Sequence, residues 1–361
     1  MHPHGLLKIS IENLPHIAAA YSEGVAGRVL HEIWRRFETA PAADRWQVTT
    51  EHWGVSVWLR EDDGDAWDEL EATICAAALE PVEIGGTAII VGLHCGAGRP
   101  EGWGELPLGL DVIQYRSDMR AVAAAYAAMT QGRTHFAEQT ISGSSGPSDT
   151  LYRECLLRLT DAGGRLMMPA AWLAAMERLG LTRAFDRQVV HRVVAELKRR
   201  PFDVLGCNIS ALSVTKDLWW NSLLSELALV PGLAKRLVVE ITETARLPSI
   251  DRAVTFVAAI GATGARVAMD DFGAGFSTIS FARLSRLDII KIDRSFLRPA
   301  DPDDAYLLGH MIILANAFAG EVVVEGVETE ADLQVALAAG ARWFQGYFFG
   351  KPACVAGAVS K

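Results

Sequence analysis

The chain has 361 residues, of which 50% are hydrophobic and 22% are charged. This composition is ordinary for a globular protein, and the length allows two domains or one large one. The formal net charge of −10 excludes sequence-independent binding to a nucleic-acid polymer, which requires a basic surface. The five cysteines are scattered, with neither disulfide nor zinc spacing, so we expect reduced thiols in a cytoplasmic protein.

Membrane insertion is not expected. No apolar stretch reaches the ~18 to 20 residues that cross a bilayer. The first residues, Met1-His-Pro-His-Gly, lack the basic and apolar regions of a secretory signal.

The first 134 residues mix strand-like and helix-like segments, which predicts a small α+β domain. We expect strands and helices in chain order at Leu6–Ile11 (strand), Leu14–Glu38 (helix), Trp53–Leu59 (strand), Ala66–Leu79 (helix), Ala88–His94 (strand) and Asp118–Thr130 (helix). Gly132-Arg133-Thr134 is the predicted boundary, so the expected domains are 1–134 and 135–361.

Residues 135–361 alternate apolar strand-like runs with amphipathic helical stretches, and glycines fall where helices should end. Eight strands in about 225 residues predict a (β/α)8 barrel. The first two strands are close enough that the connection between them need not contain a helix. The strands are predicted at Ala137–Ile141, Leu151–Leu157, Val204–Ile209, Leu237–Thr242, Arg266–Asp270, Leu287–Ile292, Glu321–Glu325 and Arg342–Phe348.

Charged side chains recur where these apolar runs end. Glu240, the pair Asp270-Asp271, Lys291 and Glu325 each follow or close a predicted strand. The carboxyl ends of barrel strands meet at one rim, where active sites of such barrels lie. Adjacent carboxylates cannot easily share a site unless cations neutralise them, so the pattern predicts a divalent-metal centre.

Each of these residues alone has a simpler interpretation. Asp270-Asp271 could cap a helix or form a solvated pair, and Lys291 could be a surface lysine. Asn208 could be a turn residue. Their joint occurrence at strand ends, in barrel order, favours a functional site.

The second half resembles the EAL domain family of cyclic-di-GMP phosphodiesterases. The resemblance rests on motifs that occur in order along nearly all of residues 135–361. Cys155 replaces an alanine of the name-giving motif, and Thr140 follows Gln139 where the family usually has proline. The motifs are Glu154-Cys155-Leu156 with Arg158, Asn208-Ile209-Ser210, Glu240-Ile-Thr-Glu243, Asp270-Asp271-Phe-Gly-Ala-Gly-Phe-Ser, Lys291-Ile-Asp293, Glu325-Gly-Val-Glu328-Thr and Gln345-Gly-Tyr-Phe-Phe-Gly-Lys-Pro352.

The resemblance implies a site for two ions, Mg²⁺ or Mn²⁺, with Ca²⁺ expected to inhibit. The implied ligands are Glu154, Asn208, Glu240, Asp270, Asp271 and Glu325, with Asp270 bridging the two ions. Oxygen ligands, mostly carboxylates, suit these cations.

The resemblance also implies catalytic roles for three residues. Lys291 would orient the attacking water, Glu325 would accept its proton, and Glu243 would tether the loop Phe272–Ser277. Binding of cyclic-di-GMP would fall to Gln139, Arg158, Asp293, Glu328 and Gln345. The implied product is linear pGpG, and the implied assembly is a homodimer through the barrel, with any regulatory protein partner unknown.

The first half resembles a degenerate GGDEF (diguanylate cyclase) domain. Leu7–Asn13 is similar to its first strand, and His52–Val57 falls where the signature hairpin is expected. Ser10 stands in place of a metal-binding aspartate, and Trp53–Val57 contains no acidic residue. Two ions and a triphosphate cannot be held without carboxylates, so we expect a structural or regulatory domain without cyclase activity.

Two other functions compete with hydrolysis. The protein could be a receptor that binds cyclic-di-GMP without cutting it and signals through a partner, or a scaffold that only mediates contacts. Receptors of this family usually lack metal ligands or the lysine, whereas this chain retains Lys291 and the acidic residues. A scaffold would leave the intact set of rim residues unexplained.

Overall fold

The computed structural model describes residues 5–60, 64–95, 110–242, 245–274, 279–298 and 306–354, without the side chains of 146–148 and 218. The chain forms two compact units. The first comprises Met1–Thr134, Leu159–Phe185 and Asp217–Trp219. The second comprises His135–Arg158, Asp186–Lys216 and Trp220–Lys361.

The first unit contains a four-stranded antiparallel sheet with the strand order β2-β3-β1-β6. A separate hairpin is formed by β4 and β5. The elements are β1 (Leu6–Ile11), α1 (Leu14–Ala20), α2 (Glu23–Glu38), β2 (Trp46–Glu51), β3 (Gly54–Leu59), α3 (Gly64–Leu79), β4 (Val82–Ile84), β5 (Thr87–Ile89), β6 (Leu93–Cys95) and α4 (Val112–Thr130). The expected α+β arrangement is therefore confirmed, although β2 and β4 were not predicted.

The strand predicted over Ala88–His94 is wrong as a single element, because β5 belongs to the hairpin with β4 whereas β6 belongs to the four-stranded sheet. The buried side chain of Asn13 takes over the backbone hydrogen bonds between β5 and β6. Its Nδ2 donates to the carbonyl of Ile90 at 2.9 Å, and its Oδ1 accepts from the amide of Gly92 at 3.0 Å. An asparagine side chain thus replaces a neighbouring strand, which satisfies the buried backbone without continuing the ladder.

The second unit is a closed barrel of eight strands, so the predicted fold class is confirmed. Around the barrel the order is β7-β8-β10-β11-β12-β13-β14-β15, and β15 pairs with β7 to close it. The strands are β7 (Thr134–Gly143), β8 (Gly146–Thr160), β10 (Leu205–Ser210), β11 (Leu237–Thr242), β12 (Arg266–Phe272), β13 (Leu287–Ile292), β14 (Ala319–Val324) and β15 (Trp343–Phe344). Two short strands lie outside this order. Strand β9 (Leu166–Met167) pairs antiparallel with β8, and β16 (Ala353–Cys354) pairs antiparallel with β7.

Strand direction departs from the regular barrel at one place. From β8 through β15 neighbouring barrel strands are parallel, but β7 runs antiparallel to β15. Only residues 144 and 145 separate β7 from β8, so this connection is a hairpin without a helix, as the short spacing allowed.

Helices cover the remaining connections. They are α5 (Pro169–Leu179), α6 (Thr182–Arg199), α7 (Leu218–Leu229), α8 (Pro231–Ala234), α9 (Ile250–Ala262), α10 (Ile279–Ser285), α11 (Leu307–Asn316) and α12 (Glu330–Ala338). On α9, Ala253, Phe256, Val257 and Ile260 are buried at spacings of three and four, which is the stripe of a helix packed on a sheet. Among the helices that the structure describes, none is long and apolar enough to cross a membrane.

The barrel interior is filled by an apolar layer of large and small side chains. The barrel strands other than β10 each contribute one member to this layer. The members are Ile141, Tyr152, Val238, Ala268, Ile289, Val323 and Trp343. The interior is therefore a packed core that supports whatever lies above it at the rim.

Candidate metal-dependent active site

A ring of polar side chains lies directly above the apolar layer. Side chains alternate between the two faces of a strand, so the residue two positions nearer the rim from each layer member also faces the barrel interior. Those positions, together with the corresponding one on β10, are all polar. They are Gln139, Glu154, Asn208, Glu240, Asp270, Lys291, Glu325 and Gln345.

Lys291 occupies the centre of this ring with four carboxylates around its ammonium group. Its Nζ lies 2.7 Å from Asp270, 2.9 Å from Glu240, 2.9 Å from Glu325 and 3.3 Å from Glu154. The side chain is 1% exposed. Burial alone would lower the pKa of Lys291, but these carboxylates raise it well above its ordinary value. The lysine is therefore charged and neutralises part of the cluster.

Glu154 is held by two side-chain amides as well as by the lysine. Asn208 Nδ2 donates to its Oε1 at 2.5 Å, and Gln345 Nε2 donates to its Oε2 at 2.6 Å. Gln345 also donates to Gln139 Oε1 at 3.2 Å. Burial opposes ionisation, but the charge of Lys291 and the two amides lower the pKa of Glu154 below its ordinary value. Glu154 is thus fixed in place as a carboxylate.

A β-bulge brings two consecutive aspartates into the same site. The register between β12 and β13 shifts between Met269 and Phe272, and Asp271 has a φ of 53°. In a regular strand, consecutive side chains point to opposite faces. The bulge instead allows ligand oxygens of Asp270, Asp271 and Glu325 to lie within 4.8 Å of one another.

The donor set fits divalent cations. Two groups of carboxylates each place one oxygen per residue within 4.8 Å, namely Glu154, Glu240 and Asp270, and Asp270, Asp271 and Glu325. Asp270 belongs to both groups. Buried oxygens without a hydrogen-bond donor among the described residues include Glu240 Oε1 and Asn208 Oδ1. Unsatisfied buried acceptors are costly, and a cation would satisfy them.

The raised pKa values of two carboxylates in the cluster also indicate that divalent cations suit the site. Burial, followed by the charge of Glu154, raises the pKa of Glu240 to about 8. Burial and the neighbouring Asp270 raise the pKa of Asp271 to about 6. One lysine is therefore too little positive charge for all these carboxylates to ionise easily. Hard oxygen donors crowded in this way suit Mg²⁺ or Mn²⁺.

Arg158 and Asp293 were also predicted as site residues, but they are not members of the ring of polar side chains. Arg158 lies four residues beyond Glu154 on β8, and its only hydrogen bond within the described ranges goes to the carbonyl of Leu157 at 3.1 Å. Asp293 follows β13 and accepts from the amide of Ser295 at 2.9 Å. Its charge contributes to the raised pKa of Asp271. Within the described ranges, neither residue has a hydrogen bond or an ion pair to the carboxylates of the ring.

Glu328 is exposed, and its Oε2 accepts from Arg298 Nη1 at 3.2 Å. It therefore lies outside the buried ring, in a surface ion pair. Glu243, predicted to tether the loop after β12, falls outside the described residues.

Asp186 supports the site and was not identified from the sequence. It lies on α6, where its Oδ2 accepts from the amide of Ser210 at 2.9 Å and from Ser213 Oγ at 2.6 Å. Asp186 is buried, and these bonds anchor the end of β10 two residues after Asn208. An aspartate inside a helical segment carries no sequence signal for such a contact, because its partners are more than 20 residues away.

Fold and site together define a class: a barrel whose rim carries a cluster of acidic side chains around a buried lysine. Residues 123–352 match the family described as EAL domain. The chain belongs to the EAL domain family.

The chain is also similar in sequence to a bacterial phosphodiesterase. The chain is 30% identical over 222 residues to the cyclic di-GMP phosphodiesterase PdeF of Escherichia coli K12. The match covers 59% of this chain but only 29% of that relative's length.

Solved structures with similar folds include one that spans nearly the whole chain. The Vibrio cholerae LapD S helix-GGDEF-EAL structure has a TM-score of 0.59 at 17% identity and covers 96% of this chain and 89% of that one. The PaMucR phosphodiesterase in complex with c-di-GMP has a TM-score of 0.56 at 24% identity. It covers 65% of this chain and 97% of that one. At these identities the likeness concerns the fold.

Proposed function

We propose that this protein is a metal-dependent phosphodiesterase that hydrolyses cyclic-di-GMP to linear pGpG. The observation that carries the proposal is the complete ring of donors around Lys291, with Asp270 shared between two groups of carboxylates. A protein that only binds the ligand has no need for this costly concentration of buried charge. The phosphodiesterase name of the PdeF relative supports the same chemistry.

In this proposal Glu154, Asn208, Glu240 and Asp270 would hold one ion, and Asp270, Asp271 and Glu325 would hold a second. Such ions lower the pKa of water and stabilise the oxygens of an in-line displacement at phosphorus. Lys291 orients the attacking water and offsets negative charge that develops in the transition state. Glu325 accepts the proton of that water, and Glu243 tethers the loop after β12.

Substrate recognition is assigned to the residues around the ring. Gln345 donates to both Glu154 and Gln139, and the amides of the two glutamines are proposed to pair with a nucleotide base or phosphate. Among the residues that the structure describes, the Arg158 guanidinium makes one hydrogen bond, to Leu157, so its other donors suit a phosphate. Asp293 and Glu328 are proposed to contact the guanine edges, and for Glu328 this requires release from Arg298.

We further propose that residues 1–134 form a degenerate GGDEF-like domain without cyclase activity and that the barrel forms homodimers. The sheet of the first unit and the 96% coverage of this chain by a GGDEF-EAL structure support the first assignment. Ser10 pairs with Gly54 and His94 across the sheet, so the position expected to bind metal carries only a hydroxyl.

The test is incubation of the full chain with cyclic-di-GMP and Mg²⁺ or Mn²⁺, followed by chromatography of the nucleotides. We expect pGpG with either ion and none with Ca²⁺, which accepts the same ligands in looser geometry. Asp270→Asn should abolish product, whereas Asp251→Asn, an equal charge change in the exposed first turn of α9, should not. Tight binding with all three ions and no pGpG would identify a receptor instead.

A further inference from the structure

Tyr152 lies directly beneath the carboxylates and has no role in the proposed mechanism. It precedes Glu154 by two residues on β8, so both side chains face the barrel interior. Tyr152 is 1% exposed, and its hydroxyl has no hydrogen-bond partner among the described residues. A buried hydroxyl without a partner is costly and calls for an explanation.

The ring of Tyr152 occupies space that exists because residue 206 is a glycine. A Cβ at Gly206 would lie 2.6 Å from Tyr152 Cε2 and 2.5 Å from Glu240 Oε1. The tyrosine ring and the glutamate carboxylate thus border the same point from two sides. Any side chain at residue 206 would have to displace both of them.

The geometry brings the tyrosine hydroxyl near the same carboxylate. Tyr152 Cε2 is the ring carbon next to the one that carries the hydroxyl, and it lies 2.6 Å from the Cβ position that is 2.5 Å from Glu240 Oε1. A phenol hydroxyl is a hydrogen-bond donor. Glu240 Oε1 is buried and has no donor among the described residues. Thus the two side chains that border the space at Gly206 carry a donor and an acceptor, and neither group has a hydrogen-bond partner within the described part of the chain.

We infer that Tyr152, seated against Gly206, is a positioning residue that holds the carboxylate of Glu240 in place to receive a metal ion. The inference rests on the proposed metal site but not on hydrolysis. The ring blocks the space into which Glu240 could turn, and the hydroxyl supplies a donor to its inner oxygen, directly or through a water. Groups that orient a metal ligand in this way typically change metal affinity by about tenfold or more when removed.

The test is Mn²⁺ affinity, measured by calorimetry on the full chain. Tyr152→Phe keeps the ring and removes only the hydroxyl, and we expect about tenfold weaker Mn²⁺ binding. Gly206→Ala should weaken binding more, because its Cβ pushes against Glu240. The matched control is Ile141→Val, which shrinks the same apolar layer beneath Gln139 and should leave Mn²⁺ affinity unchanged.

A folded Tyr152→Phe with the affinity of the unchanged protein overturns the inference, whatever Gly206→Ala does. An equal loss of Mn²⁺ affinity in Ile141→Val also overturns it, because the loss would then follow from any change in the apolar layer and not from the tyrosine hydroxyl. Failure of the proposed function looks different. In that case the unchanged protein binds Mn²⁺ and yields no pGpG, while the ratio of affinities between Tyr152→Phe and the unchanged protein still reports on the tyrosine.

Discussion

Asp270 and Asp271 are consecutive residues, yet both place a carboxylate oxygen within reach of Glu325. The register shift on β12 and the left-handed backbone of Asp271 make this possible. A non-glycine residue with a positive φ costs free energy. The backbone of Asp271 is therefore strained, and this strained conformation brings a second carboxylate into the site.

Substitutions at Asp271 should separate this strain from metal binding. Asp271→Asn, Asp271→Gly and Asp271→Ala all remove a carboxylate and should each weaken Mn²⁺ binding. Asparagine and glycine tolerate the left-handed conformation, whereas alanine does not. Without metal, we expect Asp271→Ala to be less stable than Asp271→Gly by about 1 kcal/mol in urea unfolding. Equal stabilities would show that the backbone at this position is not strained.

Lys291→Met should affect turnover more than ligand binding. The ammonium that faces four carboxylates is lost, and with it the charge that orients the water, so kcat should fall about 10²-fold or more. Without metal the substitution should also destabilise the fold by about 3 to 5 kcal/mol, since buried carboxylates lose their counterion. Mn²⁺ should restore much of that stability. Steady-state kinetics and thermal unfolding with and without Mn²⁺ measure both effects.

Arg158→Ala is the counterpart to the lysine substitution. Its guanidinium lies outside the carboxylate ring, so the free energy of unfolding should change little. We expect KM for cyclic-di-GMP to rise with little change in kcat, because a phosphate contact acts on ground and transition states alike. A drop in kcat with KM unchanged would contradict its assignment to substrate binding.

Asp332 should make the stability of the barrel depend on acid pH. Arg298 donates to its carboxylate, and so do the amides of Glu328 and Thr329. The Arg298 guanidinium is the main reason that the pKa of Asp332 lies far below its ordinary value. A lowered folded-state pKa stabilises the protein above the unfolded-state pKa of about 3.9, and this contribution is lost as pH falls below it.

Asp332→Asn should therefore cost about 1 to 3 kcal/mol at pH 7 and about 1 kcal/mol less near pH 3, since the contribution disappears fully only below the folded-state pKa. Urea unfolding at both pH values measures the difference. Glu330→Gln, in the same first turn of α12 but exposed, is the control and should change stability by no more than about 0.5 kcal/mol. A cost that is the same at both pH values would exclude the charge of Asp332 as its source.

The first unit should make no cyclic-di-GMP from GTP. Ser10 and the segment Trp53–Val57, which are the positions expected to hold the ions, supply no carboxylate. The assay is best done on the full chain carrying Lys291→Met, so that any product formed is not removed by the barrel. Incubation with GTP and Mg²⁺ or Mn²⁺ should leave GTP unchanged, while an active diguanylate cyclase run in parallel shows product. Cyclic-di-GMP from this chain would refute the assignment.

Much of the barrel could be predicted because its sequence pattern is local. Each predicted strand of the second half corresponds to an observed one, since buried parallel strands are short apolar runs between helices. The last prediction, Arg342–Phe348, proved too long. Only Trp343–Phe344 pairs as a strand, and a Cβ at Gly346 would lie 2.0 Å from the carbonyl of Val327. That close approach of two chain segments is invisible in one segment's sequence.

The sequence by itself determined the eight strands, the identity of the charged residues at their ends and the chemistry that oxygen donors favour, because these follow from local hydrophobic periodicity and residue type. Tertiary structure alone decided that β7 is antiparallel, that a bulge turns Asp271 toward Asp270, and that Tyr152 lies against Gly206 beneath Glu240. Each of these depends on which strands become neighbours and on the space between them. Such packing relationships join residues that are distant in the chain, so no local pattern encodes them.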